Sequence, residues 1–351
     1  MNFLKDIIKE VGDEYAQLAS DIDETETFVD TGSYIFNGLT SGSIFGGVSG
    51  NKITAIAGES STGKTFFSLA VVKNFLDNNP DGMCVYFDTE AAVNKSLLSS
   101  RGVNLNRTAI VNVVTVEDFR SKALKAVDIY LKKPEDERKP LMFVLDSLGM
   151  LSTEKEITDA LNDKQVRDMT KSQLIKGAFR MLTLKLGQAN IPMIVTNHTY
   201  DVIGSYVPTK EMGGGSGLKY AASTIIYLSK KKEKDGTEVI GNIIKAKTAK
   251  SRLSRENKEV SIRLYYDERG LDRYYGLLEL GEIGGLWKNV AGRYEIDGKK
   301  VYAKAIYKEP EKYFTEEVMQ KLDQIAKQEF SYGDGNNGES GEYDSAESDL
   351  Q

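Results

Sequence analysis

The chain has 351 residues, of which 40% are hydrophobic and 28% charged, and its formal net charge is −6. This composition excludes a collagen-like or wholly disordered chain, and the absence of any apolar run near the roughly 20 residues that span a bilayer argues against a membrane protein. Since Cys84 is the one cysteine and His198 the one histidine, a disulfide within the chain, a cysteine-based zinc site and a multi-histidine metal cluster are excluded.

The first predicted element is an amphipathic helix over residues 3–18. Its apolar residues recur at helical spacing and form one stripe, composed of Phe3, Leu4, Ile7, Ile8, Val11, Tyr15 and Leu18. Such a stripe needs a surface to cover. The segment is charged and lacks the apolar core of a secretory signal, so we expect a cytoplasmic protein.

Five short apolar runs then alternate with helical patterns, which is typical of a wound α/β domain with a mostly parallel sheet. The runs cover residues 53–57, 83–87, 141–145, 191–196 and 223–228. From about Gly276 the chain turns to short, Gly-punctuated, Tyr-rich segments and a helical stretch at 316–329, which together predict a small carboxyl-terminal α/β domain. We therefore divide the chain into an amino-terminal helix (1–30), a core (31–275), this small domain (276–330) and a tail (331–351).

Residues 58–65 read GESSTGKT and match the phosphate-binding pattern G-x-x-x-x-G-K-[ST] in full. The match lies between an apolar strand and a helical run, which is the context that the motif requires. Backbone amides and the helix amino terminus attract phosphate, the lysine reaches the β and γ phosphates, and the final hydroxyl ligates Mg²⁺. The predicted ATP-binding residues are Gly58, Glu59, Ser60, Ser61, Thr62, Gly63, Lys64 and Thr65.

Acidic and polar residues follow three of the other apolar runs. Asp146 and Ser147 end the third run, where a carboxylate beside the P-loop is placed to hold Mg²⁺ together with Thr65. Asp88 and Glu90 end the second run, and either could activate water; we favour Glu90, with a structural or capping role as the alternative. Asn197 and His198 end the fourth run and are candidates to sense the γ phosphate, although a lone histidine is often structural.

Two loops are expected to protrude from the nucleotide-binding side of the sheet. The first, 152–170, follows Asp146 and contains Arg167. The second, 199–217, follows His198 and suits close approach to a phosphodiester chain, although an ordinary mobile loop has the same composition. Its candidate DNA-binding residues are Lys210, Gly213, Gly214, Gly215 and Gly217.

A basic segment at 245–258 holds six bases and one acid. Such a run is often a solvated face, but a local patch can also bind phosphates whatever the total charge. A third possibility is that Lys250 and Arg252 enter the nucleotide site of another subunit and stabilise the transition state there.

The carboxyl-terminal segment 331–351 contains six acids and no Lys or Arg, so it carries the whole net charge of the chain. It is rich in Gly, Ser, Asn and acids and nearly devoid of aliphatic residues, which predicts disorder. Its role is either solubilising or regulatory, the latter through competition for a basic surface.

Taken in order, the segments GESSTGKT, YFDTE, LDSLGML, TNHTY, GGGSGLKYAAS and TAKSR resemble the RecA/UvsX family of recombinases, and the phage members more closely than the bacterial ones. The likeness runs from about residue 31 to 281 and weakly to about 330. It implies a RecA-like P-loop ATPase core in which Glu90 activates water and His198, a Gln in bacterial members, switches between the γ phosphate and the DNA loop. It further implies that Lys250 and Arg252 are cross-subunit cations, that the two loops bind DNA, that the amino-terminal helix docks on the next protomer and that the carboxyl-terminal module captures duplex DNA.

One position departs from the family pattern. Where family members place an aromatic residue against adenine, about seven residues beyond the catalytic carboxylate, this chain has Leu97. We expect weaker discrimination among nucleotides, with Tyr275 as the other wall of the base site.

The resemblance implies a DNA-dependent ATPase that uses ATP and Mg²⁺, forms filaments on single-stranded DNA and exchanges strands with a homologous duplex in recombination, repair and recombination-dependent replication. Its expected partners are single- and double-stranded DNA, further copies of itself, a single-strand-binding protein and a loader. The expected location is the cytoplasm, which is the host's if the chain is phage-encoded. The alternatives are a ring helicase of the same fold and a non-catalytic ATP-binding scaffold.

Overall fold

A computed structural model describes residues 2–12, 16, 18–21, 27–163, 169–201, 210–296 and 298–332. The predicted DNA-binding residue Arg167 and most of the predicted disordered tail lie outside these ranges.

The strands are numbered in chain order. They are β1 (Phe28–Val29), β2 (Val48–Ser49), β3 (Ile53–Gly58), β4 (Met83–Asp88), β5 (Thr108–Asn112), β6 (Leu141–Asp146), β7 (Met193–Asp201), β8 (Lys210–Met212), β9 (Thr224–Asp235), β10 (Glu238–Ser251), β11 (Glu259–Tyr265), β12 (Lys288–Val290), β13 (Arg293–Ile296) and β14 (Lys299–Tyr302).

The helices are numbered in the same way. They are α1 (Asn2–Val11), α2 (Tyr34–Ser41), α3 (Lys64–Asn78), α4 (Lys95–Ser100), α5 (Val116–Leu131), α6 (Glu154–Leu161), α7 (Lys171–Gln188), α8 (Ser216–Ala221), α9 (Leu277–Ile283), α10 (Ala303–Lys308), α11 (Pro310–Tyr313) and α12 (Glu316–Phe330).

The central sheet has the strand order β11-β10-β9-β3-β7-β6-β4-β5. The six strands from β9 to β5 are parallel, β10 and β11 extend the sheet in antiparallel fashion, and β8 pairs with the end of β7. The predicted mostly parallel α/β core is therefore confirmed, and the five predicted runs are β3, β4, β6, β7 and β9. The sequence reading missed β5, an edge strand with exposed residues, and β10 and β11, whose many charged residues interrupt the apolar pattern.

The parallel strands bring their carboxyl ends to one edge of the sheet. Gly58 at the end of β3 pairs with His198 on β7, and Asp88 at the end of β4 pairs with Asp146 on β6. Ligands of open α/β sheets bind at this edge. The residues that the sequence singles out are therefore neighbours in space.

The hydrophobic core forms one layer on each face of the sheet. Because successive side chains of a strand point to opposite faces, Tyr86 belongs to one layer and Phe87 to the other. Phe87 packs edge-on against Phe143, with ring centroids 5.5 Å apart. Both faces of the central strands β3 and β6 are thereby closed to water, which leaves the ends of these strands as their accessible part.

The amino-terminal helix α1 is shorter than the predicted helix over 3–18. It ends at Val11 because Gly12 adopts a left-handed backbone conformation with φ of 66°. Its apolar stripe is uncovered among the described residues, since the exposed fractions of Phe3, Leu4 and Val11 are 76%, 60% and 65%. No described helix is both long and apolar enough to cross a membrane.

The carboxyl-terminal residues pack on the core. Helix α12 follows the predicted stretch 316–329 closely, begins at the cap residue Thr315 and packs against α2 and α9. Leu322 and Phe330 join the same hydrophobic cluster as Leu39 of α2. Residues on both sides of the predicted domain boundary at residue 276 therefore share one core layer. The boundary stays a prediction.

Candidate nucleotide-binding site

The P-loop joins β3 to α3, which begins at Lys64. The Lys64 side chain is 7% exposed, and its Nζ donates hydrogen bonds to the carbonyl oxygens of Gly58 (3.0 Å) and Glu59 (2.8 Å). Burial lowers the pKa of the Lys64 ammonium, and the nearby carboxylates of Asp146 and Glu90 partly oppose this shift. Neutral carbonyl groups therefore hold the Lys64 ammonium at the P-loop, where it can contact an anion bound in the adjoining cavity.

The Asp146 carboxylate lies beside the P-loop threonine. Asp146 is 4% exposed, and its Oδ2 accepts hydrogen bonds from Thr65 Oγ1 and from the Tyr86 hydroxyl, each at 2.7 Å. The Thr196 hydroxyl donates to the other carboxylate oxygen. Adjacent carboxylate and hydroxyl oxygens are the donors that Mg²⁺ prefers, so Thr65 and Asp146 fit the predicted magnesium site.

Glu90 faces the cavity from the end of β4, where its Oε1 has two neighbours. Ser147 Oγ donates to this oxygen at 2.7 Å, and His198 Nε2 lies 3.3 Å from it. A carboxylate held on one side by hydrogen bonds keeps its other oxygen available to accept a proton or orient a water molecule.

Asp88, the other candidate carboxylate, has a different environment. It is 3% exposed and accepts hydrogen bonds from the backbone amides of Glu90 (3.0 Å) and Val93 (3.3 Å). Asp88 therefore organises the turn that carries Glu90.

Lys64, Thr65, Glu90, Asp146 and His198 line a cavity of about 310 Å³. Its lining residues are Ser60, Ser61, Gly63, Lys64, Thr65, Phe66, Glu90, Asp146, His198, Lys230, Asn242, Leu264 and Tyr266. The predicted residues Gly58, Glu59, Thr62 and Ser147 lie in the turns next to it. Sequence reasoning missed Phe66 and the four residues from β9, β10, β11 and the turn after β11. Only strand pairing reveals the last four, since β9 runs beside β3, β10 beside β9 and β11 beside β10.

Tyr275 is not brought to this cavity. Its ring stacks on Tyr307, with centroids 5.4 Å apart, and lies 4.2 Å from the Arg263 guanidinium carbon. Tyr266 is the tyrosine that lines the cavity. Two adjacent tyrosine pairs, at 265–266 and 274–275, made the sequence alone ambiguous on this point.

The end of β7 connects the cavity to the Gly-rich loop. Asn197 Nδ2 donates to the Gly213 carbonyl oxygen at 2.8 Å, and the Gly213 amide donates to the His198 carbonyl oxygen at 3.1 Å. Lys210, at the start of β8, forms an ion pair with Glu59 of the P-loop. The described part of the loop is therefore attached to the end of β7 through Gly213 and to the P-loop through Lys210.

The comparison with protein families matches the RecA N-terminal domain to residues 2–272. The chain belongs to the RecA family. It is 34% identical over 261 residues to the "Recombination and repair protein" of Enterobacteria phage T4, covering 74% of this chain and 65% of that protein. It is 28% identical over 258 residues to "Protein RecA" of Cereibacter sphaeroides, covering 73% of this chain and 71% of the relative. The chain thus spans about two thirds of these relatives' lengths, and the family resemblance inferred from the motifs is confirmed.

The Gly-rich loop continues through Gly214 and Gly215 into α8, which also contains Gly217. A Cβ atom on Gly217 would lie 2.7 Å from the backbone of Lys176 on α7. Close packing of α8 on α7 thus requires a glycine at this position, whatever the loop binds. Residues 202–209 of the loop lie outside the described residues.

The two proposed cross-subunit cations differ in their surroundings. Lys250 Nζ donates to the carbonyl oxygens of Lys219 and Ala222, each at 2.7 Å, at the end of α8. Burial, and to a smaller extent the charge of Arg252, lower the pKa of Lys250. The Arg252 side chain is exposed and has no hydrogen-bond or ion-pair partner among the described residues. Neither residue lines the cavity of its own protomer.

Proposed function

We propose that this protein is an ATP-dependent DNA recombinase that forms filaments on single-stranded DNA and exchanges strands with a homologous duplex. The observation that carries the proposal is the contact between Glu90 and His198, 3.3 Å apart, at the point where the strand continues toward the Gly-rich loop. Both residues line the cavity. His198 is also next in sequence to Asn197, whose side chain is hydrogen-bonded to Gly213 of the Gly-rich loop. Membership of the RecA family and the names of the chain's relatives support the same function.

The nucleotide chemistry follows from the cavity. Lys64 and the P-loop amides bind the phosphates of ATP, and Thr65 and Asp146 hold Mg²⁺. When bound there, Mg²⁺ would supply positive charge beside the phosphate oxygens. Glu90 orients the attacking water, and the Ser147 hydroxyl holds the Glu90 side chain in place.

Coupling to DNA follows from the contacts of the loop. His198 contacts Glu90 at the cavity, and Lys210 contacts Glu59 of the P-loop. A γ phosphate that attracts either side chain changes its contact with that carboxylate. A ligand shifts such an equilibrium only by its differential affinity for the two states. ATP therefore acts as a switch that orders the loop and raises DNA affinity, and hydrolysis reverses it. Recognition of homology belongs to base pairing, so contacts with the DNA backbone suffice.

Assembly into a filament explains two exposed features. The uncovered apolar stripe of α1 docks on the next protomer, where it loses its contact with water. Arg252, which has no side-chain partner in its own described protomer, is free to approach the neighbour's phosphates. A single-strand-binding protein and a loader are the further partners that we propose, in the cytoplasm of the cell that makes the protein.

Electron microscopy on circular single-stranded DNA with ATPγS tests assembly. We expect open helical filaments from the full chain, and their loss when Phe3, Leu4 and Val11 are all replaced by serine. Serine replacements remove apolar area that burial would otherwise stabilise by about 1.5–3 kcal/mol per large side chain. The matched control replaces Lys5 and Lys9 of the same helix by serine and retains filaments. Closed rings that unwind duplex DNA without strand exchange would instead identify a ring helicase.

A further inference from the structure

Lys230 extends over the P-loop from the neighbouring strand. Leu228 of β9 pairs with Gly58 at the end of β3, so Lys230, two residues farther on, lies beyond the end of β3 on the same face of the sheet. Lys230 Nζ donates a hydrogen bond of 2.6 Å to the Ser61 carbonyl oxygen. Its side chain lines the same cavity as Lys64.

The ammonium of Lys230 lacks a carboxylate partner among the described residues. The acids of the same strand are engaged elsewhere, since Glu233 pairs with Arg263 and Asp235 with Lys304. Lys230 is also close enough to Lys64 for the two positive charges to repel each other. Two cations that face one cavity, each bonded only to backbone carbonyls, favour an anion between them.

We propose that Lys230 is a second phosphate-binding lysine, which exchanges the Ser61 carbonyl for a phosphate oxygen when a nucleoside triphosphate enters the cavity. It approaches from the strand side, whereas Lys64 approaches from the helix side. The P-loop motif at 58–65 itself contains no lysine other than Lys64. This inference rests on the proposed nucleotide-dependent function and deepens it.

The test measures the affinity of the full chain for ATPγS and for ADP, with Mg²⁺, by isothermal titration calorimetry. A charge-assisted hydrogen bond stabilises by about 1.5–3 kcal/mol, so Lys230→Met should weaken ATPγS binding about tenfold or more. Lys230→Arg keeps the charge and should restore most of this affinity. The matched control is Lys232→Met on the same strand and face, which changes net charge equally but does not line the cavity and should bind within about twofold of the unchanged chain.

Three outcomes decide between this inference and its rivals. If Lys230→Met binds ATPγS as tightly as the unchanged chain while Lys64→Met does not bind, the inference fails and the proposed function survives. If Lys232→Met weakens binding as much as Lys230→Met, the effect is that of diffuse charge and the inference fails. If the unchanged chain binds neither nucleotide, the proposed function and the inference fail together. Circular dichroism confirms that each variant is folded.

Discussion

Replacing Glu90 with glutamine is expected to lower DNA-stimulated ATP turnover by about 10²–10⁴-fold, the contribution typical of general base catalysis. Glutamine retains an oxygen that can accept the hydrogen bond from Ser147, so the shape of the cavity is preserved. It lacks the basic oxygen that we propose orients and deprotonates water. Nucleotide and DNA binding should persist, and the variant should accumulate as filaments that hold unhydrolysed ATP. Phosphate release and oligonucleotide fluorescence anisotropy measure the two properties separately.

Asp88→Asn is the matched control for this variant. Asp88 accepts hydrogen bonds from the backbone of the turn and does not line the cavity, so its loss should affect the stability of the turn more than turnover. Normal turnover in Glu90→Gln would contradict the assignment. If the Glu90→Gln variant also keeps the full cellular function of the protein, the protein is the non-catalytic ATP-binding scaffold that the sequence left as an alternative.

Replacing His198 with alanine is expected to lower the stimulation of ATP turnover by single-stranded DNA by about 5–150-fold, which is the usual range of coupling between two sites. The variant loses the contact with Glu90, whereas the contacts of the Asn197 side chain and the His198 backbone with Gly213 remain. DNA-free turnover should therefore change much less than the stimulated rate. Steady-state phosphate release at saturating ATP, with and without DNA, gives both rates.

Thr199→Val is the control for the histidine variant. Thr199 is the next residue on β7, and its buried hydroxyl has no hydrogen-bond partner among the described residues, so an isosteric valine should leave coupling intact. Full DNA stimulation in His198→Ala would show that the signal between cavity and loop takes another path. The Lys210–Glu59 ion pair would then be the next candidate.

The sequence predicted those parts of the site that lie within one continuous segment. The P-loop from Gly58 to Thr65, the strand end at Asp146 and the pair Asn197–His198 each combine an apolar run with a polar ending, and this local pattern is visible without a structure. Five strands of the sheet were predicted for the same reason, since parallel strands buried on both faces are continuous apolar runs.

The sequence could not predict what depends on pairing between distant strands. Lys230 reads as one of several lysines in a charged run, and only the alignment of Leu228 with Gly58 shows that it reaches the cavity. Tyr266 rather than Tyr275 lines the cavity because the turn after β11 folds back toward Phe66, where Arg101 donates to the Tyr266 carbonyl oxygen and stacks on Phe66. These contacts join residues more than 30 positions apart, which no local pattern encodes.

The rate of ATP hydrolysis by the full chain, measured with and without excess single-stranded DNA, tests most directly whether the nucleotide cavity and the Gly-rich loop are coupled. The contacts of His198 and Lys210 predict that DNA raises this rate at least about fivefold, the lower end of typical coupling. An equal rate in the two conditions would contradict the coupling, and with it the proposed recombinase function.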